Sequence, residues 1–322
     1  PFWRASRLPA IILTMSRWTT LILIVLACLL AACGAERVSL PSTLAPGQLP
    51  PMPDGVTPTA NGADDARLAA ISGLDATPDP ADDRFDIGRS VEGRPIWAWR
   101  FGEGERRLVL VGAIHGGFEA NSALLAELLI DHFRDHPEDV LPGVEIVIIP
   151  AANPDGLVRG SGVEARFNAN GVDLNRNWGC EWSETAVVQD MTVNPGTGPF
   201  SEPESQALRD FFLTEPPAAV VFYHSAAGGV FMGECGDDHP AADWMGEMLE
   251  EATGYTYGQF DYYEVSGDAS NWLAAQGIPA AIIELNTQTE PEFAQNLRGV
   301  YALQCYLTSA GADHPAVQRV CS

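Results

Sequence analysis

Two of the six histidines in this 322-residue chain stand where an unbroken apolar run ends. His115 follows the run from Arg107 to Ala113, and His224 follows the run from Ala218 to Tyr223. Glu119 lies four positions after His115 and opens a helical pattern. Two imidazoles and one carboxylate at strand ends form the donor set that holds a catalytic zinc and leaves its fourth position for water. Taken singly, each has an ordinary reading. Glu119 suits a first-turn carboxylate beside a helix dipole, and either histidine suits a core position. The other four histidines (His132, His136, His239 and His314) fall on helices or in polar loops and read as surface residues. Glu284 ends the apolar run from Ala280 to Leu285, where an unpaired carboxylate would be costly.

These residues need a frame. Continuous apolar stretches at Pro95–Arg100, Arg107–Ala113, Val144–Pro150, Ala218–Tyr223 and Ala280–Leu285 predict strands. Helical spacing marks Asn121–Phe133, Glu202–Leu213, Asp243–Ala252, Ala269–Gln276 and Glu292–Thr308. Apolar strands alternating with helices predict an α/β fold, a three-layer α/β/α sandwich around a mixed, mainly parallel sheet. Ligands in such sheets sit where strands end and loops begin, which is where the polar clusters fall.

Between the two histidines the chain reads Asn153-Pro-Asp-Gly156, then Arg166-Phe-Asn-Ala-Asn-Gly-Val-Asp-Leu-Asn-Arg-Asn-Trp178. From about Ile87 to Leu307 the sequence resembles the zinc carboxypeptidases of the carboxypeptidase A type, and the stretch from Gly171 to Trp178 is the most specific part of that resemblance. The resemblance implies one Zn²⁺ per chain, held by His115, Glu119 and His224. It implies Glu284 as general base and acid, and Arg166 as the stabiliser of the developing oxyanion. Asn175 and Arg176 match the pair that clamps a substrate's C-terminal carboxylate. In the stretch from Tyr263 to Trp272, Tyr263 matches the substrate-capping tyrosine, with Tyr262 beside it as the alternative. The implied activity is hydrolysis of the C-terminal peptide bond, and the implied partner is a peptide with a free C-terminal carboxylate.

Two departures bear on that reading. Three residues, Gly116, Gly117 and Phe118, separate His115 from Glu119, where the family usually has two. The glycines give the loop freedom to absorb the extra residue. The position deep in the specificity pocket is Ser270, which favours neither a basic nor a large apolar C-terminal residue. Asp268 in the same loop offers a receiver for an amino group. That keeps open a cell-wall peptidase acting near diaminopimelate, beside an N-acyl-amino-acid deacylase and a catalytically silent binding lipoprotein.

Before this region, Leu21 to Ala32 is an apolar run preceded by Met15-Ser-Arg-Trp and followed by Cys33. Leu30-Ala-Ala-Cys33 resembles a bacterial lipobox, so residues 1–32 are expected to be upstream residues and signal peptide, with the lipid on Cys33. Residues 33–83, rich in Pro, Gly and Ala, read as a tether, 84–310 as the catalytic domain and 311–322 as a tail. The expected location is the cell envelope, on a membrane through the lipid. Four further cysteines suit an exported protein with disulfides, and of three pairings Cys180–Cys235 with Cys305–Cys321 is expected. The formal charge of −25 repels nucleic acid. All 18 basic residues are arginine, and nothing in the sequence fixes the oligomeric state.

Overall fold

The computed structural model describes residues 84–308, 311 and 313–321. The expected signal peptide, lipidation at Cys33 and tether fall outside the described residues. The strands are β1 (Arg84–Arg89), β2 (Pro95–Phe101), β3 (Arg106–Val111), β4 (Val144–Ile149), β5 (Ala186–Val188), β6 (Met191–Val193), β7 (Ala219–Ser225), β8 (Gly229–Met232), β9 (Thr256–Tyr257) and β10 (Ala280–Leu285). The helices are α1 (Asn121–Asp135), α2 (Pro154–Val158), α3 (Pro203–Thr214), α4 (Asp243–Thr253), α5 (Ala269–Ala275), α6 (Phe293–Leu307) and α7 (Pro315–Val320).

Eight strands form one sheet in the order β1-β2-β4-β3-β7-β10-β8-β9, and β5 pairs with β6 as a separate hairpin. The inner pairs β4/β3, β3/β7 and β7/β10 are parallel, while β1/β2, β2/β4 and β10/β8 are antiparallel. The sheet is therefore mixed around a parallel centre, as the apolar runs predict. Every residue of β4 and β7 is buried, because helices cover both faces. Alternation divides each strand between two layers. Leu108, Leu110, Ile146 and Ile148 pack with Leu125, Leu129 and Phe133 of α1 and Leu297 and Val300 of α6. Val109, Val111, Val147 and Ile149 face Trp178, Phe212 of α3 and Leu273 of α5.

The chain leaves β3 through α1 to β4 on one side, then later returns to place β7 on β3's other side. The connections thus diverge between β3 and β7, and a crevice opens at the carboxyl ends of those strands. His115 follows β3 and His224 is the penultimate residue of β7, so the two imidazoles flank that crevice.

His132 corrects the expectation of a surface residue. It is buried on α1, within 2.9 Å of the Tyr301 hydroxyl of α6 and 3.2 Å of Asp139. Burial pushes its imidazole below the usual histidine range, against the opposing pull of Asp139.

Candidate active site

The loop after β3 turns back on itself at Gly116 and Gly117. Gly117 has φ +66°, and a Cβ there would lie 2.6 Å from the Gly162 carbonyl oxygen. A Cβ on Gly116 would lie 2.6 Å from the Ala165 carbonyl oxygen. Only glycine fits both positions. Glu119 ends a 3₁₀ turn, Gly117–Glu119, instead of opening α1. That turn brings its carboxylate back to the crevice despite the extra residue. Glu119 Oε1 lies 3.1 Å from His115 Nδ1, and Oε2 lies 2.9 Å from His224 Nδ1.

The far side of His115 fixes its tautomer. Nε2 lies 2.9 Å from Asp173 Oδ1, and an ionised carboxylate can only accept, so Nε2 carries the proton. Nδ1 then meets the Glu119 carboxylate as the second N–H of an imidazolium in the metal-free protein, or through its lone pair where a bound cation takes that proton's place. On His224, Nε2 is buried without a hydrogen-bond partner. The three ligand-type atoms lie within 4.8 Å of one another. Two imidazoles, a carboxylate and an outer carboxylate orienting one imidazole fit a catalytic zinc, whose binding would displace the ligating nitrogens' protons.

Charge is concentrated here. Arg166 donates through Nη1 to Glu119 at 2.7 Å and through Nε to Asp173 at 2.8 Å. Burial pushes the Glu119 carboxyl up, but the two imidazoles outweigh it and hold the group well below the usual carboxylate range. Burial likewise opposes ionisation of Asp173, and Arg166 with His115 overrides it and keeps the carboxyl low. Glu284 differs. Burial raises its carboxyl above the ordinary 4.5, and the charge of Glu119 adds to that against the pull of His224. Its Cα pairs with that of His224 across β10 and β7, and its Oε2 accepts from the Ala227 N–H at 3.1 Å.

Asn175 and Arg176 sit in a 3₁₀ turn, Leu174–Arg176, anchored two residues later by Trp178. Trp178 is fully buried, its ring 5.4 Å from Trp272 and 5.5 Å from Phe200, and its Nε1 donates to the Leu174 carbonyl. Arg176 is 3% exposed, donates to the Asn175 carbonyl at 2.7 Å, and keeps its Nε buried and unpartnered. Its guanidinium lies 5.8 Å from the centre of the Tyr263 ring. Tyr263 is half-buried, whereas Tyr262 is 63% exposed and packs edge-on to Phe260.

His115, Glu119, Arg166, Asn175, Arg176, His224, Tyr263, Ser270 and Glu284 all line one cleft of about 1800 Å³. The disulfides Cys180–Cys235 and Cys305–Cys321 are the expected pairs. Cys180–Cys235 joins the segment after the Asn175–Arg176 turn to the segment after β8.

Asp268 is not an open receiver for an amine. It is 2% exposed and caps α5, accepting from the Ser270 and Asn271 amides and from Asn175. Asp173 is not singled out by the sequence pattern, although an acid between Val172 and Leu174 is a signal for a buried, paired carboxylate. Asn121 is not marked by that pattern either. Its amide donates to the Thr287 and Glu290 carbonyls and accepts from Ser225, tying α1 to the loops after β7 and β10.

Sequence comparison matches residues 82–297, two thirds of the chain, to the zinc carboxypeptidase family. The Bacillus subtilis protein YqgT is 26% identical over 212 residues, covering 53% of this chain and 56% of that protein. Murein peptide amidase A of Escherichia coli is 29% identical over 201 residues, 58% of this chain and 74% of the enzyme. Among solved structures, carboxypeptidase A of Helicoverpa armigera shares the fold with a TM-score of 0.58 at 22% identity, covering 92% of this chain and 82% of that one. With the family pattern spanning the crevice, the clamp-like turn and the end of β10, the chain belongs to the zinc carboxypeptidase family.

Proposed function

We propose that this protein is a zinc metallocarboxypeptidase that removes the C-terminal residue of peptides. His115, Glu119 and His224 would hold the metal. When bound, zinc supplies the Lewis acidity that makes water nucleophilic near neutral pH and polarises a carbonyl. Glu284 takes the proton of the attacking water and delivers it to the leaving amine, and its raised pKa suits both halves of that task. Arg166, beside Glu119, donates to the oxyanion as the carbonyl becomes tetrahedral. Arg176 and Asn175 grip the substrate carboxylate, a planar fork being suited to two parallel bonds. Tyr263, packed against Arg176, covers the terminal residue, whose side chain points toward Ser270.

The observation that carries this reading is Arg176. A guanidinium that is 3% exposed, with its Nε unpartnered, borders the same cleft as the histidine–glutamate set. Such a group calls for an anion. The likeness to a murein peptide amidase favours a second reading, cleavage within cell-wall stem peptides by the same machinery. A mass-spectrometric screen of free-acid peptide libraries beside purified stem peptides separates the two, with metal content measured on the same preparation. Loss of single C-terminal residues supports the first reading, and cleavage of stem peptides alone replaces it with the second. Hydrolysis of N-acyl-amino acids only would make the protein a deacylase, and no turnover with one zinc bound would make it a binding protein. Export and anchoring through Cys33 belong to the same proposal, and the mass of the mature N-terminal peptide from native membranes tests them.

A further inference from the structure

We infer that Asp268 is the positioning residue of the carboxylate clamp, fixing the Asn175 amide with its nitrogen toward the cleft and setting the Ser270 floor beside it. The inference rests on the clamp reading above and adds a residue that acts through Asn175 and Ser270.

An asparagine amide is ambiguous: turned one way it offers a donor to a carboxylate, turned the other it offers a repelling oxygen. Here two partners of opposite character remove the ambiguity. Asn175 Nδ2 donates to Asp268 Oδ2 at 2.7 Å, and Asn175 Oδ1 accepts from the Ala269 N–H at 3.0 Å. An ionised carboxylate only accepts and a backbone N–H only donates, so the amide holds one orientation. With its oxygen engaged, the second Nδ2–H is the group left to face the cleft that Asn175 lines.

The same carboxylate sets the pocket floor. Asp268 Oδ1 accepts from the Ser270 amide at 2.7 Å, the Ser270 hydroxyl at 2.5 Å and the Asn271 amide at 3.1 Å. Asp268 is itself held in place by the residue before it. Trp178 donates to the Gly267 carbonyl at 3.0 Å, and Gly267 donates to the Cys180 carbonyl at 3.1 Å. Gly267 has φ +62°, and a Cβ there would lie 2.4 Å from the Arg176 carbonyl oxygen. The tyrosine-bearing segment and the clamp turn are thus stitched together at Gly267, and Asp268 carries that stitch to the side chains.

Two variants separate clamp from cap. Asp268→Ser keeps a helix-capping hydroxyl that is too short to reach Asn175. Asp268→Asn keeps a capping oxygen but sets nitrogen against nitrogen at Asn175. Both should fold with native metal content. Two readouts are compared: KM and kcat for the acid and C-terminal amide forms of one acyl-dipeptide, and the side-chain ¹H–¹⁵N signal of Asn175, assigned by its loss in Asn175→Asp. The expected result is a displaced Asn175 signal and a KM for the acid form raised roughly tenfold or more, from one lost bond to a charged group, with kcat and the amide form little changed. An unmoved Asn175 signal, or equal losses on acid and amide forms, overturns the inference. Native protein that cleaves neither form refutes the carboxypeptidase reading instead, and the Asn175 signal still decides whether Asp268 orients that amide.

Discussion

Asp173→Asn is the most informative single change, because the side chain it alters serves three partners from a fully buried position. Asp173 Oδ1 accepts from His115 Nε2 at 2.9 Å and from the Asn175 backbone N–H at 3.0 Å, while Oδ2 accepts from Arg166 Nε at 2.8 Å. Asparagine matches its shape but has one oxygen. If that oxygen serves His115 and Asn175, the new NH₂ meets the Arg166 N–H, donor against donor. The reverse orientation frees the His115 tautomer. Arg166 keeps its bond to Glu119, so the structural cost is about 1–3 kcal/mol, the range for an unsatisfied buried partner, and less than that of a fully broken buried ion pair. The functional cost is larger. Loss of an outer carboxylate that orients a ligating histidine typically weakens metal binding ~10–100-fold. The assay is zinc competition against a fluorescent chelator at pH 7, paired with thermal unfolding of the metal-free protein. A zinc dissociation constant within threefold of native, in a folded variant, would refute the argument that Asp173 fixes His115. The pH dependence has a definite sign. The folded-state pKa of Asp173 is depressed, so its contribution to stability is present above the ordinary aspartate range and is lost as pH falls through the folded value. The variant should therefore lose stability near neutrality and differ less from native in strong acid.

Arg176→Ala should lower kcat/KM on free-acid peptides by about 10²–10⁴, from two charge-assisted bonds of ~1.5–3 kcal/mol each. C-terminally amidated peptides should lose far less, and equal losses on both would remove the clamp role. Glu284→Gln should retain zinc and abolish turnover. In the metal-free protein the Glu284 carboxyl should titrate above the ordinary 4.5, raised chiefly by burial, as followed by its ¹³C-carboxyl NMR signal. A midpoint at or below 4.5 would refute the burial argument. Replacing Cys305 and Cys321 with serine opens a loop of sequence separation 16, so it should destabilise the domain by up to ~3 kcal/mol with kcat/KM unchanged. Serine at Cys180 and Cys235 should instead raise KM, since the Cys180 carbonyl holds Gly267 beside the clamp. Denaturation midpoints and steady-state kinetics on both double variants check the contrast.

The sequence exposed those parts of the molecule whose burial is two-sided. β3, β4, β7 and β10 lie between helical layers, so their residues are apolar without interruption and their ends are easy to find. β8, with four residues, and β9, with two, pack at one margin of the sheet and leave no comparable run. Glu119 was legible as a ligand type but not in its setting. A three-residue 3₁₀ turn has no periodicity of its own, and only the backbone shows that Gly117 turns the carboxylate back. His132 has the sequence character of a surface residue because its partner Tyr301 is 169 positions away. Asp173 and Asp268 share that difficulty. Each looks like one more acid in a chain of 43 Asp and Glu, and only the fold brings His115, 58 positions away, to Asp173 and Asn175, 93 positions away, to Asp268.

A charge balance links these residues to the metal and the substrate. Nearest the two histidines and the clamp stand the carboxylates of Glu119, Asp173, Asp268 and Glu284 and the guanidiniums of Arg166 and Arg176, with further acids such as Glu181, Glu234 and Glu264 along the wider cleft. His115 donates through one nitrogen only and counts as neutral with a metal ligated, and so does His224. These six side chains then carry two net negative charges, most of them on buried groups, within a chain whose formal charge is −25. Burying uncompensated charge is expensive, and a further carboxylate arriving on a substrate would add to the repulsion. A divalent cation brings the group to neutrality. Metal binding and carboxylate binding should therefore be positively coupled, even though Arg176 and Asn175 are not ligands. The clamp supplies direction, and neutralisation at His115, Glu119 and His224 makes room for the anion that the clamp holds.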